Sequence, residues 1–414
     1  MRQTASTTTD DRPGLLLTGA TGFLGGELLA RLLERGERPI YALVRAGDDV
    51  EAQRRLDGVI GSLLGDSERW SRRVTAVSAD IASPGLGMDP ARRAQLAERV
   101  DQVIHCAASV SFTLGLEESR AINVDGTGHL LELAELSASH GGFGCFTHVS
   151  TAYVAGDHGG EFAENQLEVG QEFRNAYERS KFEGERLVRG RGASLPVQVL
   201  RPSIIVGDSR TGWTPAFNVL YTPLRAFSRG AYPALPARRG SPVDVVPVDY
   251  VADAVLSLAG KPGTTYHLTA GDHASSVGEL IDLASGYLER RPPPVMPPAF
   301  YRRAIHPLLV RRGGAKRRRA LQRSEAFFPY FSMRVRYDDT LATSALRTQG
   351  IDVPSLPSYF DRLMDFALTA DWGRSPVPRH EVVPVPQKRR RGQRRRGPSR
   401  ELGRPALHSL ARGA

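Results

Sequence analysis

Leu17-Thr18-Gly19-Ala20-Thr21-Gly22-Phe23-Leu24-Gly25-Gly26, LTGATGFLGG in one-letter code, decides the fold. Four glycines fall within eight residues, between the apolar run Leu15-Leu16-Leu17 and the stretch GGELLARLLERG, whose apolar residues recur three and four apart. A strand, a turn cleared of side chains and an amphipathic helix form a place where something approaches the backbone closely. The spacing Gly-x-x-Gly-x-x-Gly at Gly19, Gly22 and Gly25 is a variant of the dinucleotide-binding fingerprint. One glycine makes the tight turn, the next admits a pyrophosphate, and the third lets helix pack on strand. The helix start adds unpaired N–H groups and a partial positive charge. Thr18, Gly19, Thr21, Gly22, Phe23, Leu24 and Gly25 are therefore candidate cofactor-binding residues.

Outward from this loop, short apolar runs alternate with helix-length amphipathic stretches, the pattern of a parallel sheet covered by helices. Strands are expected at residues 15–17, 40–44, 74–77, 103–105, 146–149 and 197–200, and the sheet is expected to return at Asp244-Val245-Val246-Pro247 and Tyr266-His267-Leu268. AINVDGTGHLLELAELSA and NAYERSKFEGERLVRG read as two of the intervening helices. The fold class is α/β, a Rossmann-type doubly wound parallel sheet with a smaller, mostly helical C-terminal substrate lobe. Residues 1–13 are expected to form a disordered N-terminus, and 14–270 the NADP-binding Rossmann domain with a substrate-lobe insertion around 209–243. Residues 271–373 form a helical substrate or partner region, and 374–414 a disordered basic tail.

The formal net charge of +10 would suggest nucleic acid if it were spread over the molecule. From Pro376 onward there are 11 Lys or Arg against Glu381 and Glu401, which leaves the rest of the chain nearly neutral. A Pro-, Gly- and Arg-rich tail with almost no apolar residues cannot offset the entropy of folding and reads as solvated, with weak contact to a membrane or polyanion as the alternative. No specific nucleic-acid partner is expected. No apolar run is long enough to span a bilayer, and MRQTASTTTDDRPG lacks the basic and apolar regions of a signal peptide, so the protein reads as cytoplasmic. Two cysteines, Cys106 and Cys145, make no disulfide framework and read as small buried thiols; no metal ligand set is assigned.

The strand IYALVR ends in Arg45, where a site for the unphosphorylated dinucleotide normally carries an acid on the ribose 2′-hydroxyl. A guanidinium suits a 2′-phosphate, so NADPH is the expected cofactor, with Arg54 or Arg55 as a second ligand. Asp48 and Asp49 lie close enough to reverse that choice if the turn folds back. Further along, Tyr177 and Lys181 stand four apart on one helical face, where a lysine charge favours phenolate and tunes a proton donor for a carbonyl oxygen. HVSTAYVAGD, preceding them, delivers hydroxyls to the carboxyl edge of the sheet.

Together the glycine loop, Asp80-Ile81, HCAA at 105–108, NVDGT at 123–127, VSTAYV at 149–154, Tyr177/Lys181 and RPSIIVGDSRTG from Arg201 resemble an extended short-chain dehydrogenase/reductase. YALVRAGDD, HVSTAYVAGD and VPVDYVADA most resemble the branch of fatty acyl-CoA reductases and thioester reductase domains. The resemblance covers roughly residues 14–270. It implies that Thr151 bonds the substrate carbonyl, Tyr177 acts as acid, and Lys181 binds the nicotinamide ribose and tunes Tyr177. It implies that Asp80 and Ile81 flank the adenine, that His105, Cys106, Ala107 and Ala108 run beneath the nucleotide, and that Pro202, Ser203 and Ile204 meet the nicotinamide carboxamide. Tyr153 would line the pocket and Asn123 would secure a helix to the sheet. Cys106 departs from the Asn or Gly often found there.

The implied reaction is hydride transfer from NADPH to an acyl thioester, giving an aldehyde and, after a second turn, an alcohol. Because the fold is expected to begin by Gly14, the thioester would arrive as acyl-CoA or on a separate acyl carrier protein, and basic residues between Arg302 and Arg323 would meet the CoA phosphates or an acidic carrier. The rivals are a carbonyl reductase or alcohol dehydrogenase, a sugar-nucleotide epimerase, and a non-catalytic NADP(H) sensor. Arg45 weighs against the epimerase, and the triad Thr151, Tyr177 and Lys181 against the sensor. Chain length of the acyl group and oligomeric state stay open.

Overall fold

A computed structural model describes residues 13–384 except 218, 233, 302, 304–306 and 308–327. The tail beyond 384, most of the N-terminal segment and nearly all of the basic stretch between Arg302 and Arg323 lie outside the described residues.

Seven strands make the main sheet: β1 (Gly14–Thr18), β2 (Ile40–Val44), β3 (Val74–Ser78), β4 (Val100–His105), β5 (Cys145–Val149), β6 (Val197–Pro202) and β7 (Thr265–Leu268). Their order is β7-β6-β5-β4-β1-β2-β3, and every pairing is parallel. The order reverses between β1 and β4, which leaves a crevice at their carboxyl ends where such sheets bind ligands. β1 is buried throughout, and its side chains alternate faces: Leu15 and Leu17 join one core and Leu16 the other. On the Leu15 and Leu17 side lie α1 (Phe23–Arg35) and α2 (Asp49–Leu64). On the Leu16 side lie α3 (Pro90–Glu98), α4 (Gly126–Ser139) and α5 (Ala176–Gly190).

The expected helix AINVDGTGHLLELAELSA is interrupted. A π turn at Ala121–Asp125 joins the short helix Leu116–Arg120 to α4. The reason is the close crossing of α5: a Cβ on Gly184 would come within 2.5 Å of the Asn123 carbonyl oxygen, and Thr127 Oγ1 donates to that same oxygen at 2.8 Å.

Two further departures concern the rest of the chain. Val245–Pro247 does not rejoin the main sheet; it pairs in parallel with Ile204–Val206 as a separate ribbon that leads into the helix Val248–Leu258. The second lobe is built jointly by the insertion and the C-terminal region: α6 (Tyr221–Ser228), Val277–Tyr287 and Leu356–Thr369 share one apolar core. Leu235–Pro236 pairs with Val295–Met296, and Pro242–Val243 with Ser275–Ser276. The C-terminal region also returns to the nucleotide side. Val335–Tyr337 pairs with Gly160–Phe162, and Ala342 and Leu346 enter the core behind the main sheet.

A buried ionic cluster ties these layers together. Arg201 on β6 and Glu185 on α5 are both fully buried, with Arg201 Nη2 2.7 Å from Glu185 Oε1. Arg189 Nε donates to Glu185 Oε1 at 2.9 Å and Ser150 Oγ to Oε2 at 2.7 Å. Burial works to raise the Glu185 pKa, but Arg201, Arg189 and Ser150 together hold it below the ordinary carboxylate value. Arg201 Nη1 lies 3.0 Å from His267 Nε2 on β7. Glu164 accepts from His267 N at 2.9 Å and from Leu341 N and Ala342 N at 2.8 and 3.1 Å, capping the helix Thr340–Arg347. Replacing Glu185 by Gln leaves a buried guanidinium short of its counter-charge, so urea unfolding of Glu185→Gln is expected to show a loss of about 3 kcal/mol. A loss below about 1 kcal/mol would mean that the cluster is solvated and does not fasten α5.

Candidate active site

The carboxyl ends of β1, β4, β5 and β6 open into a cavity of about 730 Å³. Its floor is the glycine loop. Gly19 has φ +75°, and a Cβ there would lie 2.8 Å from Ala107 N, while a Cβ on Gly25 would lie 2.0 Å from the Gly19 carbonyl oxygen. Gly19 thus lets β1 and β4 close together, and Gly25 lets α1 begin directly against the turn. Gly22 is the N-cap of α1 and supplies no side-chain cap, so first-turn N–H groups stay available to an anion.

Thr18 serves a different part. Its Oγ1 accepts from Cys106 N at 3.1 Å and Ala107 N at 3.0 Å, and lies 2.8 Å from His105 Nδ1. With both N–H groups donating, the Thr18 hydroxyl hydrogen goes to Nδ1, and His105 carries its proton on Nε2, 3.0 Å from Thr127 Oγ1. Burial, reinforced by the nearby Lys181 charge, pushes His105 down to about 3, so the ring is neutral. Thr18 is a clip between the two strands that flank the crevice. Burial pushes the Cys106 thiol up to about 12, against the opposing pull of Lys181, and the backbone contact made by Cys106 needs no particular side chain.

At one end of the cavity stand Arg45 and Arg55, the Arg55 guanidinium donating to the Arg45 carbonyl oxygen. Both nearby acids are engaged elsewhere. Asp48 caps α2 by accepting from Glu51 N at 2.8 Å, and Asp49 accepts from Ser78 N at 2.7 Å and pairs with Arg92 at 2.5 Å. Neither lines the cavity, and of the two arginines proposed as a second ligand Arg55 lines it and Arg54 does not.

At the other end, Thr151 follows β5 and caps the turn Ala152–Ala155, its Oγ1 accepting from Tyr153 N at 3.2 Å. Tyr177 sits in the first turn of α5, whose start is fixed by Asn175 accepting from Glu178 N at 3.0 Å. The Thr151 hydroxyl donates to the Pro202 carbonyl oxygen at 3.4 Å, and burial pushes Tyr177 up to about 12, against the lowering effect of Thr151. Lys181 Nζ donates to the Val149 carbonyl oxygen at 2.9 Å and lies 3.5 Å from His148 Nε2. Burial lowers Lys181 to about 8, against Cys106 and Glu185, which raise it.

Apart from Arg54 and His105, the residues singled out in the sequence for cofactor binding or catalysis line this one cavity: Thr18, Gly19, Thr21 to Gly25, Arg45, Arg55, Asp80, Ile81, Cys106 to Ala108, Thr151, Tyr177, Lys181 and Pro202 to Ile204. Tyr153 lines it as well. Asn123 stands behind the wall, clamping Ser109 (2.8 and 3.1 Å) to Ser180 on α5 (2.9 Å). Sequence reasoning missed Phe112, Val219 and Tyr330. The Phe112 ring lies 5.6 Å from Tyr177 and stacks at 5.3 Å on Tyr330, which comes from the C-terminal lobe. Tyr330 is anchored by donating to Glu178 Oε1 and accepting from Asn175 Nδ2, both at 2.7 Å.

Residues 17–255 match the family described as Male sterility protein. The chain belongs to this family. The match carries an NAD(P)-binding fold. Within it, the chain is 34% identical over 297 residues to an isonitrile lipopeptide synthase of Streptomyces coeruleorubidus, covering 69% of this chain and 19% of that protein. It is 28% identical over 283 residues to the fatty acyl-CoA reductase wat of Drosophila melanogaster, covering 59% of this chain and 54% of that protein. The chain thus spans about a fifth of one relative and about half of the other. Among solved structures, the terminal R domain from the myxalamid PKS-NRPS biosynthetic pathway superposes with a TM-score of 0.76 at 28% identity, over 89% of this chain and 93% of that one.

For this family member, Gly25→Ala is expected to abolish NAD(P)H binding in a fluorescence titration, because the added methyl collides with backbone that cannot move without opening the loop. Undiminished binding would show that the loop is not the cofactor floor.

Proposed function

We propose that this chain is an NADPH-dependent reductase of an acyl thioester, presented as acyl-CoA or on an acyl carrier protein, giving the aldehyde. The observation that carries the reading is that Thr151 and Tyr177 line the same cavity as the glycine loop and the Arg45/Arg55 end. The site fits a phosphorylated dinucleotide. Gly19 and Gly25 leave no room for a Cβ, α1 starts uncapped, and two guanidinium-bearing residues line the far end while Asp48 and Asp49 are engaged elsewhere. The N–H groups of residues 23–25 would hold the phosphates, Arg45 and Arg55 the 2′-phosphate, Asp80 and Ile81 the adenine, and Pro202 to Ile204 the nicotinamide. When bound, the dinucleotide supplies the hydride for the thioester carbonyl carbon.

The rest of the chemistry falls to the chain. Thr151 and Tyr177 donate to the carbonyl oxygen as negative charge grows on it, which stabilises the transition state more than the ground state. With its pKa near 12, Tyr177 holds its proton at neutral pH and delivers it to that oxygen. The carbon–sulfur bond of the resulting hemithioacetal then breaks, the sulfur leaves as thiol, and the aldehyde remains. Lys181, charged below about 8, supplies positive charge beneath the cavity. The names borne by relatives, fatty acyl-CoA reductase and a lipopeptide synthase, support a thioester over a free ketone or a sugar nucleotide.

Oxidation of NADPH with a panel of acyl-CoAs, free aldehydes and sugar nucleotides tests the reading. Acyl-CoA turnover that falls at least 100-fold in Tyr177→Phe is expected; activity on sugar nucleotides alone would overturn it. Arg45→Ala combined with Arg55→Ala is expected to weaken NADPH at least 10-fold while leaving NADH affinity within about twofold. Because Lys181 loses its proton as pH rises through about 8, kcat/KM is expected to decline between pH 7 and 9. A flat profile over that range would remove Lys181 from the charge balance of the site.

A further inference from the structure

Composition groups residues 374–384 with the basic tail, yet the structure lays them across the nucleotide-binding domain. The segment leaves the second lobe after the helix Leu356–Thr369 and runs over α1 and the end of α2. Val377 and Val382 pack against a core that contains Ala30 of α1, Leu63 of α2 and Trp213. The Val377 carbonyl oxygen accepts from Trp213 Nε1 at 2.9 Å, and the Trp213 ring meets Phe23 edge-on at 6.5 Å. Phe23 is the first residue of α1 and lines the dinucleotide cavity. Further along, His380 Nδ1 lies 3.3 Å from the Ser62 carbonyl oxygen on α2.

One charge of this segment reaches the interior. Arg379 Nε lies 3.0 Å from Glu27 Oε1, and Arg379 Nη1 lies 3.4 Å from Glu34 Oε1. Glu27 is only 1% exposed and stands four residues after Phe23, about 6 Å along the axis from the start of α1. A carboxylate there draws on the same partial positive charge that the first-turn N–H groups offer to phosphates, and its own charge repels them. Burial raises the Glu27 pKa, Arg379 and Arg31 oppose that rise, and Asp208 adds to it. Arg31 is shared, because its Nε lies 2.9 Å from Asp253, which also pairs with Arg35 at 2.7 Å. Glu27, Glu34, Asp208 and Asp253 thus face Arg31, Arg35 and Arg379, and of these cations only Arg379 comes from outside α1. Loss of Arg379 leaves four carboxylates against two guanidinium groups beside the phosphate-binding turn.

We propose that residues 376–382 form a clasp on the dinucleotide loop, with Arg379 as a positioning residue for the cofactor. By neutralising Glu27, Arg379 leaves the positive end of α1 to the phosphates, while Val377 braces Phe23 through Trp213. The clasp is continuous with the last helix of the second lobe, so it ties cofactor affinity to the seating of that lobe. The proposal rests on the dinucleotide reading of the cavity and is independent of the thioester.

The test is the dissociation constant of NADPH by fluorescence titration, at pH 8 so that Glu27 stays ionised beside Arg31, with adenosine as a competitor that carries no phosphate. Arg379→Gln is expected to bind NADPH about 10-fold more weakly, while its affinity for adenosine stays within about twofold of the wild type. Arg379→Lys keeps the charge, and Glu27→Gln combined with Arg379→Gln removes the charge to be offset; both are expected to bind NADPH within about threefold of the wild type. Glu27→Gln alone reads the same effect without touching the segment and is expected to bind NADPH at least as tightly as the wild type. Wild-type affinity in Arg379→Gln, an equal loss of NADPH and adenosine, no recovery in the double variant, or weaker binding by Glu27→Gln would each overturn the proposal and leave the cofactor reading standing. A wild type that binds no dinucleotide would overturn the cofactor reading and the proposal together.

Discussion

The ion pair between Glu185 and Arg201 is the constraint on which the rest of the structure hangs. Taking both charges out of water is costly, and their attraction compensates only if each also finds its remaining hydrogen bonds. Those bonds come from three directions. Ser150 reaches Glu185 from the residue beside Thr151, Arg189 reaches it from its own helix, and His267 reaches Arg201 from the edge strand. Satisfying one buried pair therefore fixes the rotation of α5, which carries Tyr177 and Lys181, against the strand end that carries Thr151. Glu164 extends the same network to the N-terminus of the helix Thr340–Arg347 and so binds the C-terminal region to the catalytic framework.

The cavity that results is graded in polarity along its length. At the Arg45 and Arg55 end it offers guanidinium groups and backbone N–H donors, and in its middle the hydroxyls of Thr151 and Tyr177. That gradient matches a reaction between an anionic cofactor and a carbonyl. The middle is the place where water is least welcome, since donors aimed at a growing oxyanion are strongest in a dry surround.

Much of this was legible in the sequence because it is local. The glycine spacing forces a β1–turn–α1 unit, the alternation of apolar runs forces the parallel sheet, and Tyr177 and Lys181 must share a face of one helix. Arg45 could be placed because it ends a strand next to the loop. What escaped depends on contacts between distant segments. Tyr330 reaches Glu178 across 152 positions, and no periodicity announces such a meeting. The π turn at Ala121–Asp125 follows from how closely Gly184 lets another helix approach, a property of the partner and not of the turn. Val245–Pro247 has the apolar character of a sheet strand, but the edge beside β6 is taken by β7, so it pairs with Ile204–Val206. Lys181 also illustrates the limit: its position on the helix was readable, while its capture by the Val149 carbonyl required the folded sheet end.

The central claim is that a thioester carbonyl receives hydride in this cavity and loses its sulfur. The most direct measurement is turnover of an acyl-CoA with NADPH deuterated on the transferred position, following free thiol by colour and the product by mass spectrometry. One thiol is expected per aldehyde formed, with deuterium on the former carbonyl carbon. Oxidation of NADPH without thiol release, or a product free of deuterium at that carbon, would contradict it.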